Sequence, residues 1–422
     1  MFGLDLLMMR IALDILLVII STIITIRTYR SIVSFNNVSL AAYVIFICYI
    51  FNCLPIAFDL MLGIPEYHYY LSDFGVAAAS DNVSMLYDIY MLAAMISFYK
   101  YYKKNSVSSS ESEYTYSQKY KIFRYVLILS PLLIFLLFGG SFDNYVYTSL
   151  QGRDIDSEVS LYINQFMFIS LYVFCIWIFS KKNNKFTGLW LTLYMLILAI
   201  ISGKRFIVAV VLLSYFYSFI NSNWRNKRKT NITPVLLVIL SLFMGFMIYY
   251  ITQVKIMGDF TGYIYTQLRV DLGREDVTKF VLMRELEGKP ILDFRGQSFV
   301  SMLLMIVPRF LWVAKPWPHY RYLTAAIYSE TPETISSGMT PSVFEMMVAN
   351  FSFWGIVLAI GLILGIVKLG DRLRSTNKRL IVLLILIQLF TQSMDVLLFL
   401  FYYFIFICLF GKKINKKPQV FT

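Results

Sequence analysis

The chain has 422 residues, 58% of them hydrophobic and only 15% charged, with a mean hydropathy of +0.66 and a net charge of +13. A water-soluble domain carries roughly a quarter charged residues, so a soluble enzyme is excluded and lipid must be the main solvent. The positive charge, which in a soluble protein would point to nucleic acid, reads here as basic loops beside a membrane, and no nucleic acid partner is expected.

A spanning helix needs about 20 mostly apolar residues. Taken in order, the apolar runs predict membrane segments at about 7–26, 39–60, 84–101, 123–140, 159–180, 186–202, 205–221, 234–254, 343–367, 379–393 and 396–411. The fold class expected is therefore an all-α polytopic membrane protein with about 11 transmembrane helices, within a range of 10–12; the alternation a β-barrel needs is missing. Its expected divisions are 1–254 (helices 1–8 with short loops), 255–342 (one large extracytoplasmic loop), 343–411 (helices 9–11) and 412–422 (a basic cytoplasmic tail).

Of the 38 Lys and Arg residues, 24 fall in alternate loops, at Arg27–Arg30, Lys100–Arg124, Lys181–Lys185, Arg225–Lys229, Lys368–Arg379 and Lys412–Lys417. The positive-inside rule makes those loops cytoplasmic, which puts the N-terminus outside and the C-terminus inside. The opposite loops lean acidic, with Glu66, Asp73 and Asp81 in one and Asp143, Asp154, Asp156 and Glu158 in the next. The Ser-rich stretch 103–120 reads as a flexible connector. No cleavable signal peptide is expected, because the first apolar run is long enough to span and no small-residue cleavage site follows it. No internal repeat is evident, which weakens transporter readings built on inverted halves.

Cysteines 48, 53, 175 and 408 all lie in apolar runs and read as small buried hydrophobes. With two histidines, His68 and His319, a histidine-built metal site is not expected. Asp154-Ile155-Asp156 has the form of an acidic pair that could hold Mg²⁺, though a solvated turn explains it more simply. Gly361 and Gly365 form a GxxxG that suggests tight packing inside the bundle or with a second subunit. Arg10 and Asp14, one turn apart, suggest an intrahelical pair. Asp88, in mid-helix, is either a functional intramembrane carboxylate or a buried hydrogen-bonded one.

The polar interval from Lys255 to Ser342 carries Arg269, Asp271, Arg274, Glu275, Asp276, Arg284, Glu285, Arg295, Arg309, Lys315, His319 and Arg321. Positive charge on the outer side runs against the orientation signal, so either the loop neutralises itself or something there wants cations. Arg205 lies between two apolar runs, where an unpaired guanidinium costs at least about 2.5 kcal/mol. A phosphate suits its two-pronged donor geometry. Gln297–Val307 is apolar but only about half a span long, so the segment near 297–314 is expected to be re-entrant or interfacial, with Trp312 and Trp317 at headgroup level. Phosphate-binding glycine loops, HExxH and GxSxG are absent.

The sequence resembles the bacterial oligosaccharide repeat unit polymerases, the Wzy-type O-antigen polymerases. The resemblance rests on the Gly203-Lys204-Arg205 turn, the Arg-rich outer loop, Pro308-Arg309 followed by Lys315-Pro316, and Thr340-Pro341-Ser342 leading to Glu345, Asn350-Phe351 and Gly355. It covers roughly residues 200–356. The family's arginine-then-glycine spacing is not reproduced: Arg284 is followed by Gly296 one position late.

The resemblance implies a GT-C-like glycosyltransferase in a bacterial plasma (inner) membrane, multi-pass, acting at its outer face on polyprenyl-diphosphate-linked oligosaccharides. It implies no cofactor and no metal; the partners implied are membrane lipids, a chain-length regulator and other polysaccharide-export proteins. Carried onto this sequence, Arg205, Arg269, Arg274, Arg284 and Arg309 would grip the diphosphate with support from Lys315 and Arg321. Glu345 would act as the base or as the group that orients the acceptor, with Asp271, Asp276 and His319 in reserve for the base. Glu345 as a simple ion-pair partner of Arg309 or Lys315 is the plainer alternative. Other readings are a ligase that moves finished glycan onto a lipid acceptor, a flippase for lipid-linked glycan, and a membrane scaffold.

Overall fold

The computed structural model describes residues 2–34, 38–65, 72–105, 121–138, 157–178, 185–202, 205–225, 232–249, 260–304, 311–335, 338–373 and 376–392, with isolated positions such as 307 and 394. Within them every regular element is a helix. Three stretches are long and apolar enough to cross a membrane: Asp5–Val33, Leu40–Leu62 and Val343–Arg372. Shorter apolar helical stretches follow at Ile122–Ile134, Phe166–Cys175, Thr187–Ile200, Phe206–Asn221 and Thr233–Ile248. The chain is thus a helical protein of membrane type. The connector 106–120, Asp154 and Asp156, Gly203 and Lys204, Pro308 and Arg309, Asp395, most of segment 396–411 and the basic tail lie outside the described residues.

The chain folds into two compact units. The first combines Met1–Ser108, Gly258–Asp371 and Ile385–Leu398. Its frame is α1 (Phe2–Val33) packed along α5 (Asp81–Lys104), with α2 (Leu40–Cys48) and α3 (Leu54–Leu62) beside them and the short α4 (Asp73–Ala79) leading into α5. Helices α2 and α3 are continuous through one π-helical turn, Tyr49–Cys53. Such turns break the regular ladder and re-aim side chains; Asn52, within this one, is fully buried.

The polar interval folds into this same unit as α11 (Phe260–Leu272), α12 (Arg274–Leu286), α13 (Gln297–Leu303) and α14 (His319–Tyr328). Helix α12 packs against α4, α5, the π turn and α15 (Val343–Phe351). Nearly every residue of α12 is buried, including Arg274, Glu275, Asp276, Lys279 and Glu285. The charge-rich stretch is therefore core, contrary to the picture of a self-neutralising solvated loop.

The span Val343–Arg372 is not one helix. Residues 343–350 of α15 are all buried, and then the chain breaks at Ser352, whose φ is +54°, and passes through a 3-10 turn, Ser352–Trp354, into α16 (Gly355–Arg372). A Cβ on Gly355 would lie 2.2 Å from the Met347 carbonyl oxygen, so the break packs too closely for a side chain. In α16 a Cβ at Gly361 or Gly365 would meet nothing within 4 Å. Tight packing at that GxxxG inside the bundle is thus not observed among the described residues.

The second unit combines Ser109–Met257, Arg372–Leu384 and Phe399–Thr422. It contains α6 (Lys121–Phe138), α7 (Ser157–Ile178), α8 (Lys185–Ser202), α9 (Arg205–Arg225) and α10 (Thr233–Tyr249). Helix α17 (Thr376–Thr391) runs from this unit into the first. Pro131 inside α6 removes an N–H, which would leave the Leu127 carbonyl without its helical partner; the Ser130 hydroxyl donates to it at 2.7 Å. One residue on, the Ile128 carbonyl accepts from Ser170 Oγ at 2.5 Å and Tyr194 Oη at 3.0 Å, joining α6 to α7 and α8.

Candidate functional site

Two polar constellations lie in the first unit, bridged by α12. The first is built on Arg269, in the last turn of α11 and fully buried. Its Nε donates to Asp59 Oδ1 at 2.6 Å and its Nη2 to Asp59 Oδ2 at 2.6 Å, a two-pronged pair with α3. Its Nη1 donates to Asp276 Oδ2 at 2.9 Å and its Nη2 to Asp276 Oδ1 at 3.2 Å. Glu275 Oε1 also lies 2.6 Å from Nη2, but without hydrogen-bond geometry. One guanidinium cannot neutralise three carboxylates. Burial pushes the Glu275 carboxyl well above the usual carboxylate range, against the pull of Arg269 and with the push of Asp276 and Asp59. Asp59 and Asp276 keep the forked pairs, and Glu275 is the carboxyl left without a hydrogen bond among the described residues.

Gly273 makes this clasp possible. A Cβ there would sit 2.4 Å from Arg269 Nη1 and 2.8 Å from Asp276 Oδ2. The break between α11 and α12 must be bare for the guanidinium to fold back over it.

The second constellation lies at the start of α15. Ser342 caps that helix, its Oγ accepting from the Glu345 N–H at 3.2 Å. Ser and Glu at this spacing form a capping box, in which the carboxylate would return to the cap residue's own N–H. Here it turns instead to α14: Glu345 Oε1 lies 2.7 Å from His319 Nε2. His319 Nδ1 is 2.6 Å from Ser298 Oγ on α13. A neutral imidazole with its proton on Nε2 satisfies both contacts, donating to Glu345 and accepting from the Ser298 hydroxyl. The backbone N–H of Ser298 donates to Asn350 Oδ1 at 3.2 Å, and Asn350 Nδ2 to the Met346 carbonyl at 2.6 Å. Ser298, His319, Glu345 and Asn350 are all buried, and Glu345 Oε2 has no hydrogen-bond partner among the described residues. Thr278 Oγ1 on α12 lies 3.3 Å from Ser342 Oγ, tying this cluster to the helix that carries Asp276.

The remaining candidates are placed as follows. Arg274 and Asp271 are buried at the α11–α12 junction. Arg284, partly exposed, is 3.9 Å from Asp73. Arg321 lies over the Trp317 ring at 4.2 Å, and its Nη1 is 3.5 Å from the Pro332 carbonyl. Lys315 Nζ donates to the Val307 carbonyl at 2.8 Å, so Glu345 pairs with His319 and not with Lys315. Arg295 is taken by Glu285 at 2.6 and 2.7 Å, and also donates to the Ala349 carbonyl at 3.0 Å. Arg205 opens α9 in the second unit, and Arg309 lies outside the described residues.

Sequence reasoning found Glu345 and His319 separately but not their contact, and missed Ser298 and Asp59. Asp59 had a legible signal, a carboxylate inside an apolar run; Ser298 had none. Comparison with protein-family models, with curated proteins and with solved structures finds no match to this chain.

Proposed function

We propose that the protein is a membrane glycosyltransferase that lengthens polyprenyl-diphosphate-linked glycans at the outer face of a bacterial plasma membrane. The observation that carries this reading is the buried Glu345–His319 pair, with Glu345 Oε2 still unclaimed. In the reaction the hydroxyl of an acceptor repeat unit attacks the anomeric carbon of the donor glycan. The C–O bond to the lipid diphosphate breaks, and the diphosphate leaves with the electron pair. Glu345 Oε2 takes the hydroxyl proton, and the His319 Nε2–H bond on Oε1 holds the carboxylate in place as its charge changes. Cations stabilise the departing diphosphate.

The geometry redistributes the cationic roles. Arg269 spends its guanidinium on Asp59 and Asp276 and acts as a brace for α12. Arg284 and Arg321, with no forked carboxylate partner among the described residues, suit phosphate better, together with Lys315; Arg274 stays a candidate at the buried junction. With this orientation the N-terminus lies outside and the C-terminus in the cytoplasm.

Purified full-length protein should lengthen a defined diphosphate-linked repeat unit, with or without a chelator. Glu345→Gln should slow this by roughly 10²–10⁴-fold while its melting temperature stays near that of the parent. Unchanged lengthening by a folded Glu345→Gln protein would remove the pair from the chemistry. Transfer only onto a different lipid acceptor would indicate the ligase. A flippase has one observation in its favour, the buried carboxylates Asp14 and Asp88 inside helices; movement of lipid-linked glycan across liposomes without lengthening would establish it.

A further inference from the structure

Arg10 on α1 reaches both Asp14 and, across the seam on α5, Asp81, so α1 and α5 run side by side here with Asp14 and Asp88 as charge neighbours. Asp88 is fully buried and Asp14 is 5% exposed. Neither oxygen of Asp88, nor Oδ1 of Asp14, has a hydrogen-bond partner among the described residues. Carboxylates are acceptors only, so two of them cannot bond to each other. Something positive must lie between them.

Two cations act on this pair, Arg10 and Lys279, and neither hydrogen-bonds to Asp88. Arg10 Nη1 donates to the Ala79 carbonyl at 2.8 Å and to Asp81 Oδ1 at 3.2 Å, and Nη2 donates to the Ala78 carbonyl at 3.1 Å. It reaches Asp14 Oδ2 only at 3.6 Å through Nε. Lys279 on α12 rests over the Tyr87 ring at 5.5 Å. Tyr87 on α5 and Cys53 on the π turn lie near Asp88, and both also lie near Glu275 on α12. Across this region Arg10, Arg269, Arg274 and Lys279 stand against Asp14, Asp59, Asp81, Asp88, Asp271, Glu275 and Asp276, so the carboxyls outnumber the cations.

A second, independent observation marks the place. Ser84, fully buried, has a hydroxyl with no partner among the described residues. It precedes Asp88 by one turn on the same face of α5. Arg10 meets Asp81 at the top of the α1–α5 seam, and the two helices advance together at about 1.5 Å per residue. Asp14 then falls between the levels of Ser84 and Asp88, and the hydroxyl belongs to the same enclosure.

We propose that Asp14, Asp88 and Ser84 form a buried site for one small monovalent cation, a proton or a sodium ion, lodged between the two carboxylates. All its oxygen donors come from α1 and α5, so occupancy would govern how tightly those helices close. The proposal does not depend on the glycosyltransferase reading.

The test uses the full-length protein in detergent, treated with dicyclohexylcarbodiimide, which modifies buried protonated carboxyls; labelling of Asp14 and Asp88 is followed by peptide mass spectrometry. If a proton occupies the site, labelling should be strong in acid, fall about tenfold per pH unit once the proton leaves, and ignore salt. If sodium occupies it, NaCl should suppress labelling and choline chloride at equal ionic strength should not. Asp88→Asn should abolish these dependences and melt at or above the parent temperature. No labelling of either residue at any pH, with sodium absent or present, would overturn the site. So would an Asp88→Asn protein that melts as far below the parent as Lys279→Met, since that marks an ordinary ion pair.

Discussion

Arg269 shows how much of this protein rests on single side chains. Its guanidinium is fully buried, and removing it would leave Asp59 and Asp276 as uncompensated charges. Breaking a buried pair in this way costs about 3–5 kcal/mol, so Arg269→Ala should fail to accumulate, and Arg269→Lys, which lacks the fork, should melt well below the parent. Gly273→Ala should destabilise nearly as much, because the added methyl collides with Arg269 Nη1. Glu275 gives a signed pH dependence. Its folded carboxyl titrates above the ordinary range, so its contribution is intact at low pH and is lost as pH rises from that range through the raised value. Glu275→Gln should flatten this alkaline loss in melting temperature measured across pH. The pairing itself was not legible in the sequence. The run Arg269 to Asp276 advertised charge, but the carboxylate that seats the arginine, Asp59, stands 210 residues away in the chain.

At the scale of elements, most helices were legible and one important break was not. The apolar runs near 7–26 and 39–60 correspond to α1 and α2–α3, because hydropathy decides where lipid-compatible helices form, whereas the run near 84–101 forms α5, a helix not among those long and apolar enough to cross a membrane. The run at 343–367 looks like one span, yet it is interrupted at Ser352, whose backbone conformation suits glycine better than serine. Ser352→Gly should therefore raise stability by up to about 1 kcal/mol, read as a higher melting temperature. Gly355→Ala should lower it, since the Met347 carbonyl has to move aside. The break leaves Glu345 and Asn350 on a short helix, buried from Val343 to Asn350 and separate from the lipid-compatible length of α16. Discontinuous helices of this kind are where membrane proteins put polar backbone and substrate contacts. The π turn beside Asn52 is a second such interruption, and no residue pattern at Tyr49–Cys53 signalled it.

For the whole molecule, membrane class was fixed by composition, since 15% charge and 58% hydrophobic residues admit no soluble core of this size. What composition could not convey was the destination of the polar interval. Its placement on the outer side by charge bias said nothing about whether it covers the helices or lies among them. The structure makes it core to the first unit, with α12 enclosed by α4, α5, the π turn and α15. Of the candidate site, Glu345 and His319 were identifiable as titratable residues, but their 2.7 Å contact depends on α14 and α15 meeting, which no local pattern encodes.

The burial of α12 also dictates an order of manufacture. A helix with five charged side chains hidden in it is too polar to be threaded into lipid by itself, given a translocon cost of about 2.5–3.5 kcal/mol for each such group at mid-bilayer. It can only dock onto partners already in place. Those made before it, α4, α5 and the π turn, leave the ribosome long before it, and until it arrives they hold acidic groups such as Asp88 with little to balance them. A nascent chain stopped after Tyr249 should consequently be caught by membrane quality control and degraded, whereas one released beyond Arg372 should survive a pulse-chase.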